Sequence, residues 1–228
     1  MLELSELDTS DVVANNSMNR ERQLTGSNGY ETDLRFNLVE YISHRLQQYE
    51  RVVWVDLCCG EGRALLEAGQ CFHKEGEQGR LRIIGVDLVS YFARWPHSLG
   101  WIERIVSPLR EWSPTDPCDL ITCVHGLHYV GDKLRVLQQC GRWLRENGIF
   151  MGNLDLANLR HARGTRLSRS LTQWWKDTNI TYHARDRILR IDGYSEWCPP
   201  CEFVGARDDA GPNYTGQPAV NSFYRTNG

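Results

Sequence analysis

Residues 52–69 read VVWVDLCCGEGRALLEAG. Val52 to Leu57 is an apolar run of strand length, closed by Cys58, Cys59 and Gly60. Beyond it, Ala64, Leu65 and Ala68 share one side of a helix expected over 61–70. The unit is a strand, a glycine turn and a helix. Gly60 and Gly62 allow a backbone to approach a ligand where a Cβ would clash. Asp56 ends the strand and offers an acceptor to the same crevice. Asp87 closes a second strand-like run, Leu81 to Val86. A carboxylate there can accept hydrogen bonds from both hydroxyls of a ribose. A glycine pair alone says little. Placed after one strand, with an acid closing the next, it points to a nucleoside ligand. A dinucleotide is the rival ligand, but the third glycine of G-x-G-x-x-G is absent, since Ala64 and Leu65 occupy that region.

Outward from this unit the pattern continues to alternate. Upstream, Leu34, Leu38, Val39, Ile42 and Leu46 recur at helical steps from Thr32 onward. Downstream, a charged loop spans 71–80, a weaker strand Ile102 to Val106 and a clear strand Asp119 to Val124. A helix is expected over 131–146, stopping at Asn147–Gly148, followed by a strand from Ile149 to Leu154. A helix over 165–177, strands over 180–184 and 187–191, a turn at Asp192–Gly193 and further extended pieces complete the chain. Strands spaced by helices predict an α/β fold with a mainly parallel sheet and an antiparallel C-terminal hairpin at its edge. Ligands of such sheets bind beyond the carboxyl ends of the strands. Residues 1–29 are polar, with Asn15, Asn16, Ser17 and Asn28–Gly29, and read as a tail or lid on a single domain over 30–228.

Composition bounds the partners. The chain has 228 residues, 41% hydrophobic and 24% charged, with a formal charge of −3. That length buries enough surface to fold without disulfides. The charge excludes a broadly basic nucleic-acid binder. The acidic start, MLELSELD, predicts no export signal, and no run is long and apolar enough to span a membrane. The eight cysteines are therefore expected reduced, in the cytoplasm.

The run VVWVDLCCGEGRALLEAG, with IIGVDL, the stretch from Asp119 to Phe150 and NLD, resembles class I S-adenosylmethionine-dependent methyltransferases over about residues 34–155. The resemblance implies a Rossmann-like, doubly wound, seven-stranded sheet and S-adenosylmethionine as cofactor. It implies that Asp56, Cys58, Gly60 and Gly62 surround the methionyl part, that Asp87 holds the ribose, and that Leu88, Pro108 and Leu109 flank the adenine. His125, after the fourth strand, falls near the sulfonium. The chain departs from the family at Cys58, where glycine is usual, which implies a less tight turn. It also has Ser107, Pro108 and Leu109 where an acidic residue is frequent.

The activity implied is methylation of a small molecule by in-line transfer, with positioning and exclusion of water as the protein's main contribution. The chain also resembles, more loosely, the S-adenosylmethionine cyclases. In these the α-amine attacks the γ-carbon, giving azetidine-2-carboxylate and methylthioadenosine. A non-catalytic cofactor-binding scaffold is disfavoured because Gly60, Gly62 and Asp87 are all present.

Further candidates follow from position. His125 is a base near the reacting carbon, with His128 and Tyr129 beside it. The alternative for His128 is a solvent-facing start to the next helix. Asn153 and Asp155 end the fifth strand and either bind the acceptor or cap the next turn. Tyr30, at the end of the tail, is either an aromatic wall over the cofactor or a staple for the first helix. Trp174, Trp175 and Tyr182 offer a cation cage or core packing. Asn213 and Tyr214 fall in a Gly-, Pro- and Asn-rich loop that can border a pocket mouth. Cys198 and Cys201 form C-x-x-C, but after a hairpin and with Pro199–Pro200 between them, so neither redox nor metal use is expected.

Overall fold

The computed structural model describes residues 1–14 and 21–226; Asn15, Asn16 and Ser17 lie outside the described residues. Two short helices, α1 (Leu4–Asp8) and α2 (Asp11–Ala14), come first. They are followed by α3 (Tyr30–Leu34), α4 (Leu38–Gln48), β1 (Val52–Leu57), α5 (Arg63–Lys74), β2 (Leu81–Asp87), β3 (Glu103–Val106) and β4 (Cys118–Cys123). Next are α6 (Lys133–Trp143), β5 (Leu144–Asn153), β6 (Leu159–His161), α7 (Ser168–Trp175), β7 (Ile180–His183), β8 (Ile188–Asp192), β9 (Cys201–Arg207) and β10 (Asn221–Thr226).

The main sheet has seven strands in the order β3-β2-β1-β4-β5-β8-β7. The five strands from β3 to β5 pair in parallel, while β8 is antiparallel to both β5 and β7. This is the mainly parallel sheet with an antiparallel hairpin that the sequence pattern predicts. Every residue of β1 is buried because both faces are covered. Val53, Val55 and Leu57 pack toward Leu134 and Leu137 of α6. Val52 and Trp54 pack toward Ile42 of α4 and Leu65 and Phe72 of α5. At the amino end of the sheet, Asp119 is fully buried and binds Arg45 through Nε at 3.2 Å and a terminal nitrogen at 2.7 Å, and it accepts from the Val53 amide at 2.9 Å.

Several local readings shift. The helix expected to run on from Thr32 is broken at Arg35, whose φ of 50° caps α3 before α4 begins. The helix expected to end at Asn147–Gly148 stops at Trp143, and those two residues form an irregularity inside β5, where the register against β4 shifts. The turn expected at Asp192–Gly193 falls at the end of β8, with Gly193 at φ 76°. There the Gly193 amide donates to Gly148 O at 2.8 Å, and a Cβ on Gly193 would lie 2.2 Å from the Glu146 carbonyl oxygen.

The C-terminal extended pieces form a second sheet, β6-β10-β9. It is fastened to the main sheet by Lys133, whose fully buried Nζ donates to Val130 O at 2.8 Å, Val220 O at 2.8 Å and Ser222 Oγ at 3.0 Å. The chain's start docks on this second sheet. The Leu2 amide donates to Ala206 O at 2.9 Å, and Leu7 packs with Ala206 and Val220.

Candidate functional site

The strand order reverses between β1 and β4, and a cavity of about 280 Å³ opens at the carboxyl ends of the strands there. Its floor is the glycine turn at Cys58 and Gly60. Asp87 and Leu88 after β2, Pro108 and Leu109 after β3, and His125 and Gly126 after β4 form its walls. Leu4, Asp8 and Val13 of the N-terminal segment also line it, and Asp8 pairs with Arg110 on the cavity's rim.

The turn is left-handed at three positions, Cys58 (φ 56°), Gly60 (φ 59°) and Gly62 (φ 73°). Cys58 thus holds the left-handed geometry despite its side chain, and the looser turn implied by its replacing glycine is not seen. Space is found at Gly126 instead: a Cβ there would fall 2.3 Å from the Cys58 Cβ. Gly126 was not singled out in the sequence; its signal is a small residue following His125 after β4.

Asp87 organises the cavity. Its Oδ2 accepts from the Gly60 amide at 2.8 Å and its Oδ1 from the Val89 amide at 3.1 Å, so one carboxylate ties the glycine turn to the end of β2. Asp56 and Gly62 do not line the cavity. Asp56 is fully buried, accepting from Tyr30 Oη at 2.8 Å and Thr122 Oγ1 at 2.6 Å. Burial raises its pKa to about 7, against the pull of those two hydroxyls. Tyr30 is itself buried, and its phenol is held protonated by that burial and by Asp56. It serves as the partner of Asp56, neither a cavity wall nor a simple staple.

His125 stands at the junction of several elements, with φ 57°. Its amide donates to Asn153 Oδ1 at 3.3 Å, and Asn153 Nδ2 donates to Asp33 O at 3.1 Å. Its Nε2 lies 3.4 Å from Asp33 Oδ2, and Asp33 is also paired with Arg22. Its Nδ1 lies 3.2 Å from Tyr214 Oη. Asp33 favours the ring hydrogen on Nε2, which leaves Nδ1 to accept from Tyr214. Burial pulls the His125 pKa below its ordinary value, outweighing Asp33, so the ring is neutral at pH 7. His128 is fully buried rather than solvent-facing, with its ring 5.3 Å from that of Tyr214, and burial pushes its pKa well down.

On the far side of Tyr214 lies a second cavity of about 510 Å³. Asp155, Arg166, Tyr182, Arg187, Asn213 and Tyr214 are among its lining residues. Asp155 caps the turn after β5, its Oδ1 accepting from the Ala157 amide at 2.9 Å, yet it also faces this cavity. Tyr182 Oη donates to Leu154 O at 2.9 Å. Trp175 is core, and Trp174 packs edge-on against Trp197; neither lines either cavity. Asp33, Arg166 and Arg187 were not anticipated. They lie far apart in sequence, and no local spacing marks them. Cys198 is exposed, and its Sγ accepts from Gln138 Nε2 at 3.3 Å.

The sequence profile of the family described as "Methyltransferase domain" matches residues 30–190. The chain belongs to that methyltransferase family. No curated protein matches this methyltransferase in sequence. Among solved structures, it is similar to a putative class I S-adenosylmethionine-dependent methyltransferase from Listeria monocytogenes, with 13% identity over 82% of this chain and 65% of that one, and a TM-score of 0.49. It is similar also to the N-methyltransferase NodS from Bradyrhizobium japonicum, in complex with S-adenosyl-L-homocysteine (13% identity, 84% and 97% covered, TM-score 0.44). A third is the amino pentose methyltransferase of calicheamicin biosynthesis from Micromonospora echinaspora (16% identity, TM-score 0.37). The match there covers 50% of this chain and about half, 48%, of that one. No helix among the described residues of the methyltransferase is long and apolar enough to cross a membrane.

Proposed function

We propose that this chain uses S-adenosylmethionine to methylate a small molecule by in-line transfer. The observation that carries the reading is the 3.2 Å contact of His125, which lines the first cavity, with Tyr214, which lines the second. The first cavity fits the cofactor. Asp87 lines it where a ribose would lie, Leu88, Pro108 and Leu109 supply apolar walls for a purine, and the backbone at Cys58 and Gly60 borders the methionyl part. Bound there, the cofactor supplies an electrophilic methyl group. The second cavity gives the acceptor a place, which an intramolecular cyclisation would not need.

The protein's own residues then position and exclude water. Asn153 and Asp33 fix the backbone and ring of His125. The acceptor's proton would pass to His125 Nδ1 by way of the Tyr214 hydroxyl as the acceptor takes up the methyl group that the cofactor would supply. Asp155 faces the acceptor. Tyr30 and Asp56 support the site from beneath and touch neither ligand. Residues 1–29 act as a lid on a domain of 30–228, supported by Leu4, Asp8 and Val13 at the cavity. A small, non-nucleic-acid acceptor accords with the net charge of −3, and eight unpaired cysteines accord with the reducing cytoplasm.

Incubation with S-adenosylmethionine alone, followed by mass spectrometry, tests the reading. The cofactor is expected to persist until an acceptor is added. Enzyme-dependent methylthioadenosine with a cyclic C4 amino acid would assign the chain to cyclisation instead.

A further inference from the structure

We propose that the second cavity holds the acceptor by a carboxylate, with Arg187, Arg166 and the Asn213 amide as its donors. The inference rests on the methyl-transfer reading and names the chemical class of the acceptor.

Three observations converge. Among the described residues, neither Arg187 nor Arg166 has a carboxylate within ion-pair distance, although both line the cavity. Arg187 is held in the left-handed region at φ 55°, and its guanidinium lies 4.2 Å from the centre of the Tyr214 ring. That places a fork of donors beside the residue that divides the cavities. Asn213 is 8% exposed. Its Oδ1 accepts from both the amide and the hydroxyl of Thr215, which assigns the amide orientation, while its Nδ2 has no partner. A buried donor without an acceptor costs stability unless a ligand supplies one.

The charge count selects among anions. Two guanidinium groups face the single carboxylate of Asp155, leaving about one net positive charge. A monoanionic carboxylate matches that balance, and a phosphate dianion exceeds it. Tyr182 and Tyr214 give the body of the acceptor aromatic walls. The amine or hydroxyl to be methylated then projects past Tyr214 toward His125.

The test uses the full chain saturated with S-adenosylhomocysteine and calorimetric titration with benzoate, benzamide and phenyl phosphate. Benzoate is expected to bind at least about ten-fold more tightly than either of the others, because only it offers a single charge to a bidentate donor. Arg187→Gln is expected to weaken benzoate about ten-fold or more, with Arg187→Lys recovering part of the loss. S-adenosylhomocysteine affinity in both variants stays at the wild-type value. If Arg187→Gln no longer binds S-adenosylhomocysteine, the same readings on Arg166→Gln and Asn213→Ala decide. No benzoate binding, equal binding of benzamide, tighter binding of phenyl phosphate, or insensitivity to these substitutions overturns the proposal. Failure of the wild-type chain to bind S-adenosylhomocysteine is a different result, and it overturns the methyltransferase reading on which the proposal stands.

Discussion

The two cavities on either side of Tyr214 are built by opposite means. The first is made of strand ends and backbone: three left-handed residues, one carboxylate bridging β1 to β2, and short apolar walls after β2 and β3. The second is made of side chains delivered by four separate connections, at Asp155, Arg166, Arg187 and Asn213. A backbone-built site inherits the rigidity of the sheet beneath it. A site assembled from connections inherits only what its own hydrogen bonds supply. On the proposed function, the same molecule keeps a fixed place for the cofactor and an adjustable place for the acceptor.

The largest expected effect breaks the fixed half. Arg45→Ala leaves buried Asp119 with only Arg145, whose Nε lies 3.5 Å from its Oδ2, and stability should fall by about 3 kcal/mol, the low end for a broken buried pair. Urea unfolding measures it; a loss under about 1 kcal/mol would show that the sheet's amino end does not depend on the pair. Asp56 sharpens the comparison through pH. Burial holds its carboxyl at about 7, whereas in the unfolded chain it titrates near 4. Between those values the folded chain keeps a proton that the unfolded chain has lost. Stability therefore falls as pH rises from about 4 to about 7 and levels off above. Asp56→Asn should abolish that slope, a change of roughly a few kcal/mol across the window, seen as parallel unfolding curves at both ends.

A smaller effect is expected at Asp87. Asp87→Ala removes the tie between the glycine turn and β2 and the acceptor for ribose, weakening S-adenosylhomocysteine by about 1–3 kcal/mol in calorimetry. Unchanged affinity would remove the ribose from this place. The smallest concerns the lid. Asp8→Ala deletes the partner of Arg110 and should raise the S-adenosylhomocysteine off-rate by about two- to five-fold, as expected for a partly exposed ion pair. Stopped-flow displacement at low and high salt checks it, since screening by salt should reproduce the effect in the wild-type chain.

The same contrast explains what could be read from the sequence. Gly60 and Asp87 could be picked out from their places at strand ends, and Cys58, Leu88, Pro108 and Leu109 through the family resemblance, and all six line the first cavity. Gly62 and Asp56, chosen on the same grounds, do not line it, because position at a strand end does not say which way a side chain is buried. Asp56 and Tyr30 could be picked out, but not their pairing, which depends on how α3 lies over β1. The break at Arg35 carried no sign, because a left-handed arginine looks like any other. His128 is buried because the C-terminal segment covers it, with the Val220 amide donating to its carbonyl at 2.9 Å. No helical or strand period encodes that contact. The donors of the second cavity share the problem: Asp155 could be singled out as the end of β5, but Arg166 and Arg187 converge only once β7 and β8 have paired.

Lys133 also constrains the order of events on the ribosome. Two of its three acceptors come 87 and 89 residues later in the chain. Once made, its side chain must therefore wait for those 87 to 89 further residues before all three acceptors are in place. Helix α1 is likewise made long before its seat on Ala206 and Val220. Leu4 and Asp8 therefore take their places at the first cavity only after β9 has emerged, and until then the turn at Cys58 and Gly60 lies open on that side.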